Sequence, residues 1–206
     1  MEERIQPGDE SLAVQHDTSF ARLVTLACHD VRTPLATVHG FAATLTRTAN
    51  LDAPADRYVE MISAASGQMA ELLDELSLVA RIEAGRYEPV RRETDTLSLA
   101  QGAAARLGDE RVLVSGAGAP LETDAEAVER GVSALVQAAL RHGGLDSVDV
   151  AVRGLELDVS PVTDSSAPVV LGTELRDLGA AVAVRLIETL GGSVTVSSQT
   201  LTIRLA

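Results

Sequence analysis

The residues from His29 to Leu35, His-Asp-Val-Arg-Thr-Pro-Leu, bring several chemically active side chains into two helical turns. An imidazole is largely neutral near pH 7, so one ring nitrogen of His29 carries a lone pair that can attack phosphorus in line. Asp30 could accept a proton or orient the ring. Thr33, four residues after His29, would lie on the same helix face, where its hydroxyl could position water. This pattern predicts phosphoryl transfer through His29.

The bulk composition limits the class of partner. The chain has 206 residues, 46% hydrophobic content and a formal net charge of -13, which fits a folded acidic protein and argues against nucleic-acid or anionic-membrane partners. The one cysteine, Cys28, excludes an internal disulfide. No apolar run approaches the roughly 20 residues that cross a bilayer, and residues 1–10 are too acidic for a signal peptide. We therefore expect a cytoplasmic protein that binds no membrane and no nucleic acid.

Two long helices are predicted to position the segment around His29. Apolar residues recur three or four apart over residues 12–49 and again over residues 55–84, with Asp52 as a candidate N-cap of the second helix and Gly85 as its end. The apolar stripe of such an αα-hairpin is too long to be buried against one partner helix. We therefore expect two chains to associate through their hairpins into a four-helix bundle.

The remainder of the chain is predicted to form a second domain. Residues 1–11 are a predicted flexible tail, residues 12–86 the hairpin, residues 87–94 a polar linker and residues 95–206 the second domain. The predicted helices are Thr96–Leu107, Asp124–His142 and Glu174–Leu190, and the predicted strands are Arg111–Ser115, Ser147–Val152, Leu155–Val159, Ser193–Ser197 and Leu201–Leu205. This order, αβαββαββ, predicts an α+β fold with helices stacked on one face of a mixed or antiparallel sheet.

The segment from His29 to Leu35, on the first helix of a hairpin, resembles the phosphoacceptor box of the dimerisation and histidine-phosphotransfer domain of bacterial sensor histidine kinases. The element order after the hairpin resembles the ATP-binding α/β-sandwich of the same kinases, so the resemblance extends over nearly the whole chain. It implies that His29 accepts the phosphoryl group, that Asp30 assists phosphorylation and that Thr33 assists dephosphorylation of a partner. It also implies that the partners are receiver domains of response regulators.

The receiver domain is expected to dock on the first helix around His29. Arg32 is a candidate electrostatic partner for a phosphoryl group or for an acid of the receiver. The small side chains of Ala36, Thr37 and Gly40 would let a partner helix approach closely. The same small residues could equally form the interior of the bundle.

The second domain departs from the kinase pattern at three places in the nucleotide site. Where the family has an asparagine that helps to hold Mg²⁺, this chain has Ala138, whose methyl group cannot ligate a metal. Where the family has Asp-x-Gly-x-Gly, this chain has a glycine-free segment that begins at Ser160. Before the last helix, Asp177 replaces the first glycine of Gly-x-Gly and only Gly179 is retained, so a carboxylate faces the place of the polyphosphate. We expect this chain to bind neither a nucleotide nor a metal.

Three interpretations of the function remain open at this point. In the first, the chain is a histidine phosphotransferase that relays phosphate between receiver aspartates through His29, with Mg²⁺ held by the receiver. In the second, it is a response-regulator phosphatase or a binding module that uses Asp30 and Thr33. In the third, it is an active histidine kinase core with an altered nucleotide site.

Overall fold

The computed structural model describes residues 9–48, 51–108 and 110–206, and the chain divides between Tyr87 and Glu88 into two compact units. The first unit is a helical hairpin of α1 (Asp9–Thr48) and α2 (Ala53–Glu83), which pack against each other. Helix α1 runs through Pro34 without interruption. The predicted αα-hairpin is confirmed.

Local sequence explains both ends of α2. The Asp52 carboxylate accepts a hydrogen bond from the Ala55 N–H at 3.4 Å, which satisfies a donor of the first turn. At the other end, Gly85 has a φ of 62°, a left-handed conformation that glycine adopts at little cost, and the Arg86 N–H donates to the Arg81 carbonyl at 2.8 Å. Asp52 and Gly85 therefore bound the helix as the sequence predicts.

The start of α1 corrects part of the predicted flexible tail. Residues 9–11 belong to the helix. Residues 1–8 of the predicted tail lie outside the described residues.

Helix α1 buries small side chains and leaves large apolar ones exposed. Ala21, Cys28 and Ala42 are no more than 5% exposed, and their spacing in multiples of seven places them in one line along the helix. Large apolar side chains of both helices remain exposed, among them Phe20, Leu23, Phe41, Tyr58, Met61 and Leu72. One hairpin therefore covers only a narrow part of the predicted apolar stripe.

The second unit contains a five-stranded sheet. Its strands are β2 (Val112–Gly118), β4 (Val148–Gly154), β5 (Glu156–Ser160), β6 (Ser193–Ser197) and β7 (Thr200–Arg204). Their spatial order is β2-β4-β5-β7-β6, with β2 parallel to β4 and every other neighbouring pair antiparallel. A separate antiparallel pair joins β1 (Arg92–Asp95) to β3 (Pro120–Thr123). The sheet is therefore mixed.

Helices cover one face of this sheet and form the core with it. They are α3 (Thr96–Ala105), α4 (Ala125–Gly143), the single turn α5 (Ala167–Val170) and α6 (Leu178–Thr189), and α4 packs against the other three. Leu157 of β5 pairs with Val152 and Ile203 of the adjacent strands, and all three side chains are almost fully buried. Leu135 of α4 is also fully buried. This arrangement of helices on a mixed sheet confirms the predicted α+β class.

Two local predictions in the second unit are wrong, and α5 was not predicted. Strand β1 occupies residues 92–95 of the predicted linker, because β1 and β3 pair with each other over a long sequence separation that no local pattern signals. Helix α6 begins at Leu178 and not at Glu174, because the N–H groups of Thr173 and Glu174 both donate to the Pro168 carbonyl and hold the chain in a turn. The same turn follows α5, which the sequence did not predict.

Candidate functional site

His29 lies on α1 with most of its side chain in solvent. The imidazole is 75% exposed and the neighbouring Asp30 side chain is 68% exposed. Nδ1 of His29 lies 3.2 Å from Oδ1 of Asp30. An ionised carboxylate only accepts hydrogen bonds, so Nδ1 carries the proton and the lone pair lies on Nε2. This contact favours the tautomer whose Nε2 can act as a nucleophile.

Arg32 and Thr33 lie next to His29 in different environments. Arg32 Nη2 donates to Oδ1 of Asp74 on α2 at 2.6 Å, an ion pair that joins the two helices, and both side chains are about half exposed. Thr33 is exposed, and its carbonyl accepts a hydrogen bond from the Thr37 hydroxyl at 3.2 Å. An imidazole, a guanidinium and a hydroxyl therefore occur within two turns of one helix.

The predicted docking residues are accessible on the same helix. Ala36, Thr37 and Gly40 are all exposed, and a methyl group added at Gly40 would meet no atom within 4 Å. In one hairpin, these small side chains form an open surface on the C-terminal side of His29.

The predicted nucleotide residue Asp177 makes several hydrogen bonds within the second unit. As N-cap of α6, its Oδ1 accepts from the Ala180 N–H at 3.1 Å. Its Oδ2 accepts from Arg141 Nη1 and from His142 Nε2, each at 3.2 Å. The Asp177 and His142 side chains are only 11% and 15% exposed, whereas Arg141 is 60% exposed. A carboxylate of this protein therefore occupies the N-terminus of α6, where an anion would otherwise bind.

The segment after Ser160 closes against the same end of α4. Ser160 is the last residue of β5, and the Ser165 hydroxyl beyond it donates to the His142 carbonyl at 2.9 Å. Thr163 exchanges hydrogen bonds with Ser165 and Ser166. This hydroxyl-rich turn holds its polar groups by internal contacts.

Ala138 and Gly179 lie on the two helices that meet at this site. Ala138, one turn before His142 on α4, is fully buried, and Gly179 is half-buried in the first turn of α6. An alanine methyl offers no ligand to Mg²⁺, and the Asp177 carboxylate would repel a polyphosphate. The residues present do not fit a magnesium nucleotide.

Sequence reasoning missed the partners of two predicted residues. Asp74 is one of several acids on α2, and Arg141 and His142 match only the end of the family pattern Asn-Ala-x-Lys/Arg-His, which gives them no role of their own. Their pairing with Arg32 and Asp177 depends on contacts between helices. One feature of the sequence could have indicated the pairing in the second unit: basic residues at the end of α4 and an acid just before α6 have opposite charges.

Within the described part of the chain, no group of three or more His, Cys, Asp or Glu side chains could hold a metal ion. No helix in the described ranges is long and apolar enough to span a membrane.

Comparison with known proteins gives independent information about both units. Residues 21–85 match the family model of the His Kinase A (phospho-acceptor) domain, a range that contains His29 and ends at the residue that terminates α2. No protein of curated function is similar in sequence.

Two solved structures resemble the larger part of the chain. Full-length ShkA in complex with AMPPNP is 19% identical with a TM-score of 0.68, over 88% of this chain and 44% of that chain. The histidine kinase AdeS of Acinetobacter baumannii is 18% identical with a TM-score of 0.54, over 86% of this chain and 97% of that chain. This chain therefore spans less than half the length of ShkA. At such identities the similarity establishes the fold.

Proposed function

We propose that this chain, which has the architecture of a histidine kinase core with a phosphoacceptor hairpin and an ATPase-type domain, relays phosphoryl groups between receiver domains through His29 without using ATP. The proposal rests above all on Asp177. Its carboxylate occupies the N-terminus of α6 and accepts hydrogen bonds from α4 and α6. A histidine in such a chain needs a phosphoryl donor other than a bound nucleotide.

The transfer step uses groups that are already arranged around His29. The Nε2 lone pair attacks the phosphorus of a receiver aspartyl phosphate, so that a P–N bond forms while the bond from phosphorus to the aspartate oxygen breaks. The aspartate leaves as a carboxylate. The ring, now an imidazolium, gives the Nδ1 proton to Asp30, whose Oδ1 lies 3.2 Å away. The reverse sequence passes the phosphoryl group to a second receiver.

The partner and the assembly follow from the exposed surface of the hairpin. A receiver would approach along α1, where Arg32 offers a cation and Ala36, Thr37 and Gly40 offer little steric obstruction. Mg²⁺ would be held by acidic groups of the receiver. The large exposed apolar side chains of α1 and α2 would be covered by the hairpin of a second chain, which gives a homodimeric four-helix bundle.

A second candidate function is dephosphorylation of the receiver. It is favoured by Thr33, whose exposed side chain lies one turn from His29 and could orient a water molecule toward a docked phosphoryl group. This activity would need Thr33 and Asp30 but would not need a nucleophile at position 29.

Radiolabel experiments distinguish these functions. We expect no label on the protein from ATP and Mg²⁺, and label on His29 from a phosphorylated receiver. His29→Gln should abolish this transfer. His39→Gln is the matched control, because His39 is also an exposed histidine of α1 and pairs with Ser66 at 2.9 Å. Label on His29 from ATP would overturn the relay without ATP, and loss of receiver phosphate with His29→Gln but not with Thr33→Ala would indicate the phosphatase.

A further inference from the structure

The ion pair between Arg32 and Asp74 joins α1 to α2 close to the nucleophile. Arg32 lies three residues after His29, a spacing at which two side chains of one helix are neighbours. Its guanidinium donates to Asp74 at 2.6 Å, and the two side chains are 42% and 57% exposed. The cation nearest to His29 along the motif is therefore held by a carboxylate of the other helix.

We propose that Arg32 exchanges partners during the reaction, pairing with Asp74 when His29 is unmodified and with the phosphoryl group when His29 carries one. Asp74 is then a positioning residue that sets how long His29 retains phosphate. This inference rests on the proposed function, because it requires phosphorylation of His29.

Relative charge and exposure favour the exchange. An ion pair this exposed to water holds its partners only weakly, so the guanidinium can leave Asp74 at little cost. A phosphoryl group carries about two negative charges near neutral pH, against one on Asp74. Its oxygens also match the fork of an arginine in a bidentate contact. The phosphoryl group on His29 is therefore the stronger of two competing anions within reach of Arg32.

Because of this competition, Arg32 and Asp74 should have opposite effects on the rate of hydrolysis of phospho-His29. Removing the Asp74 charge frees Arg32 for the phosphoryl group, and we expect hydrolysis of phospho-His29 to slow about threefold to tenfold. Removing Arg32 exposes the phosphoryl group to water and should speed hydrolysis by a similar factor. Asp74→Asn should have no effect in a chain that also carries Arg32→Ala, because Asp74 acts only through Arg32.

The test uses the whole chain phosphorylated with phosphoramidate, a small donor that bypasses any receiver. Hydrolysis of the phosphohistidine is followed for the unmodified chain, Asp74→Asn, Arg32→Ala and the double variant. Glu71→Gln is the matched control, since it removes the same charge one turn earlier on α2, and Asp74→Glu should restore the original rate. Side-chain NMR signals of Arg32 report its partner directly and should shift on phosphorylation.

The outcomes separate the inference from the function on which it rests. If His29 is phosphorylated but the Arg32 signals do not move, or if Asp74→Asn and Glu71→Gln change hydrolysis equally, the exchange of partners is wrong and the relay stands. If neither phosphoramidate nor a phosphorylated receiver modifies His29, both proposals fail. Circular dichroism of each variant establishes that the hairpin remains folded.

Discussion

Replacing Asp177 by alanine should destabilise the second unit by about 2 kcal/mol. Loss of the N-cap bond to the Ala180 N–H costs about 1 kcal/mol. Loss of the hydrogen bond to His142, whose side chain is 15% exposed, costs about 1 kcal/mol more because water compensates for it only in part. The contact with Arg141 adds little, since that side chain is 60% exposed.

Asp177→Asn separates the cap from the charge. Asparagine caps helices about as well as aspartate, so its side-chain oxygen can still accept from the Ala180 N–H. The amide nitrogen takes the place of Oδ2 and cannot accept from Arg141 or His142, so those two hydrogen bonds are lost and we expect a cost of about 1 kcal/mol. Neither variant should acquire label from ATP, because Ala138 remains in place.

Urea and thermal unfolding measure these differences, and hydrogen exchange localises them. For a domain of this size, 1 kcal/mol corresponds to about 4 °C in Tm. The Ala180 amide should lose protection in Asp177→Ala and keep most of it in Asp177→Asn. Equal destabilisation by the two variants would refute the contribution assigned to the cap. A cost below about 0.5 kcal/mol for alanine would refute the whole estimate.

Two further predictions concern the exposed apolar surface of the hairpin and the buried position 138. Leu72→Glu should turn the proposed dimer into a monomer in sedimentation, because it places a charge on the exposed apolar surface of the hairpin. The control is Leu113→Glu, which changes a similarly exposed leucine of β2 and should leave the sedimenting mass unchanged. Ala138→Asn should lower the stability of the second unit by about 1 to 3 kcal/mol in urea unfolding, because it buries an amide at a fully buried position. The variant should acquire no label from ATP. Gain of label would contradict the proposal that the chain does not use ATP.

The elements that the sequence predicted well are those with a strong local period or a clear end signal. Helix α4 has regularly spaced apolar residues on one face and Asp124 as its N-cap. It is terminated by its C-cap Gly144, which has a φ of 62°. The hairpin of β6 and β7 combines alternating residues with a short turn. In both cases the residues that decide the structure lie within a few positions of one another, so the sequence alone carries the information.

The features that the sequence did not predict depend on contacts over long separations. Pairing of Arg92 with Thr123 gives strand structure to residues whose polar sequence predicts a linker. Asp158 is a buried acid on β5, where it accepts from the Thr202 hydroxyl at 2.6 Å and pairs with Arg153. The alternation of buried and exposed residues along β5 predicts neither of these partners. The same limitation hid the pairing of Arg32 with Asp74 at the centre of the candidate site.

The polar groups around Asp177 satisfy one another within the second unit. A ligand site that depends on its ligand leaves donors and acceptors to be satisfied when it is empty. Here the N-terminus of α6, the end of α4 and the turn after Ser160 satisfy one another through Asp177, His142 and Ser165. Throughout the described residues, every buried side-chain nitrogen and oxygen has a hydrogen-bond partner. Under the proposed function, Ala138→Asn alone should not create a nucleotide site, because a ligand would first have to displace hydrogen bonds that already complete the fold.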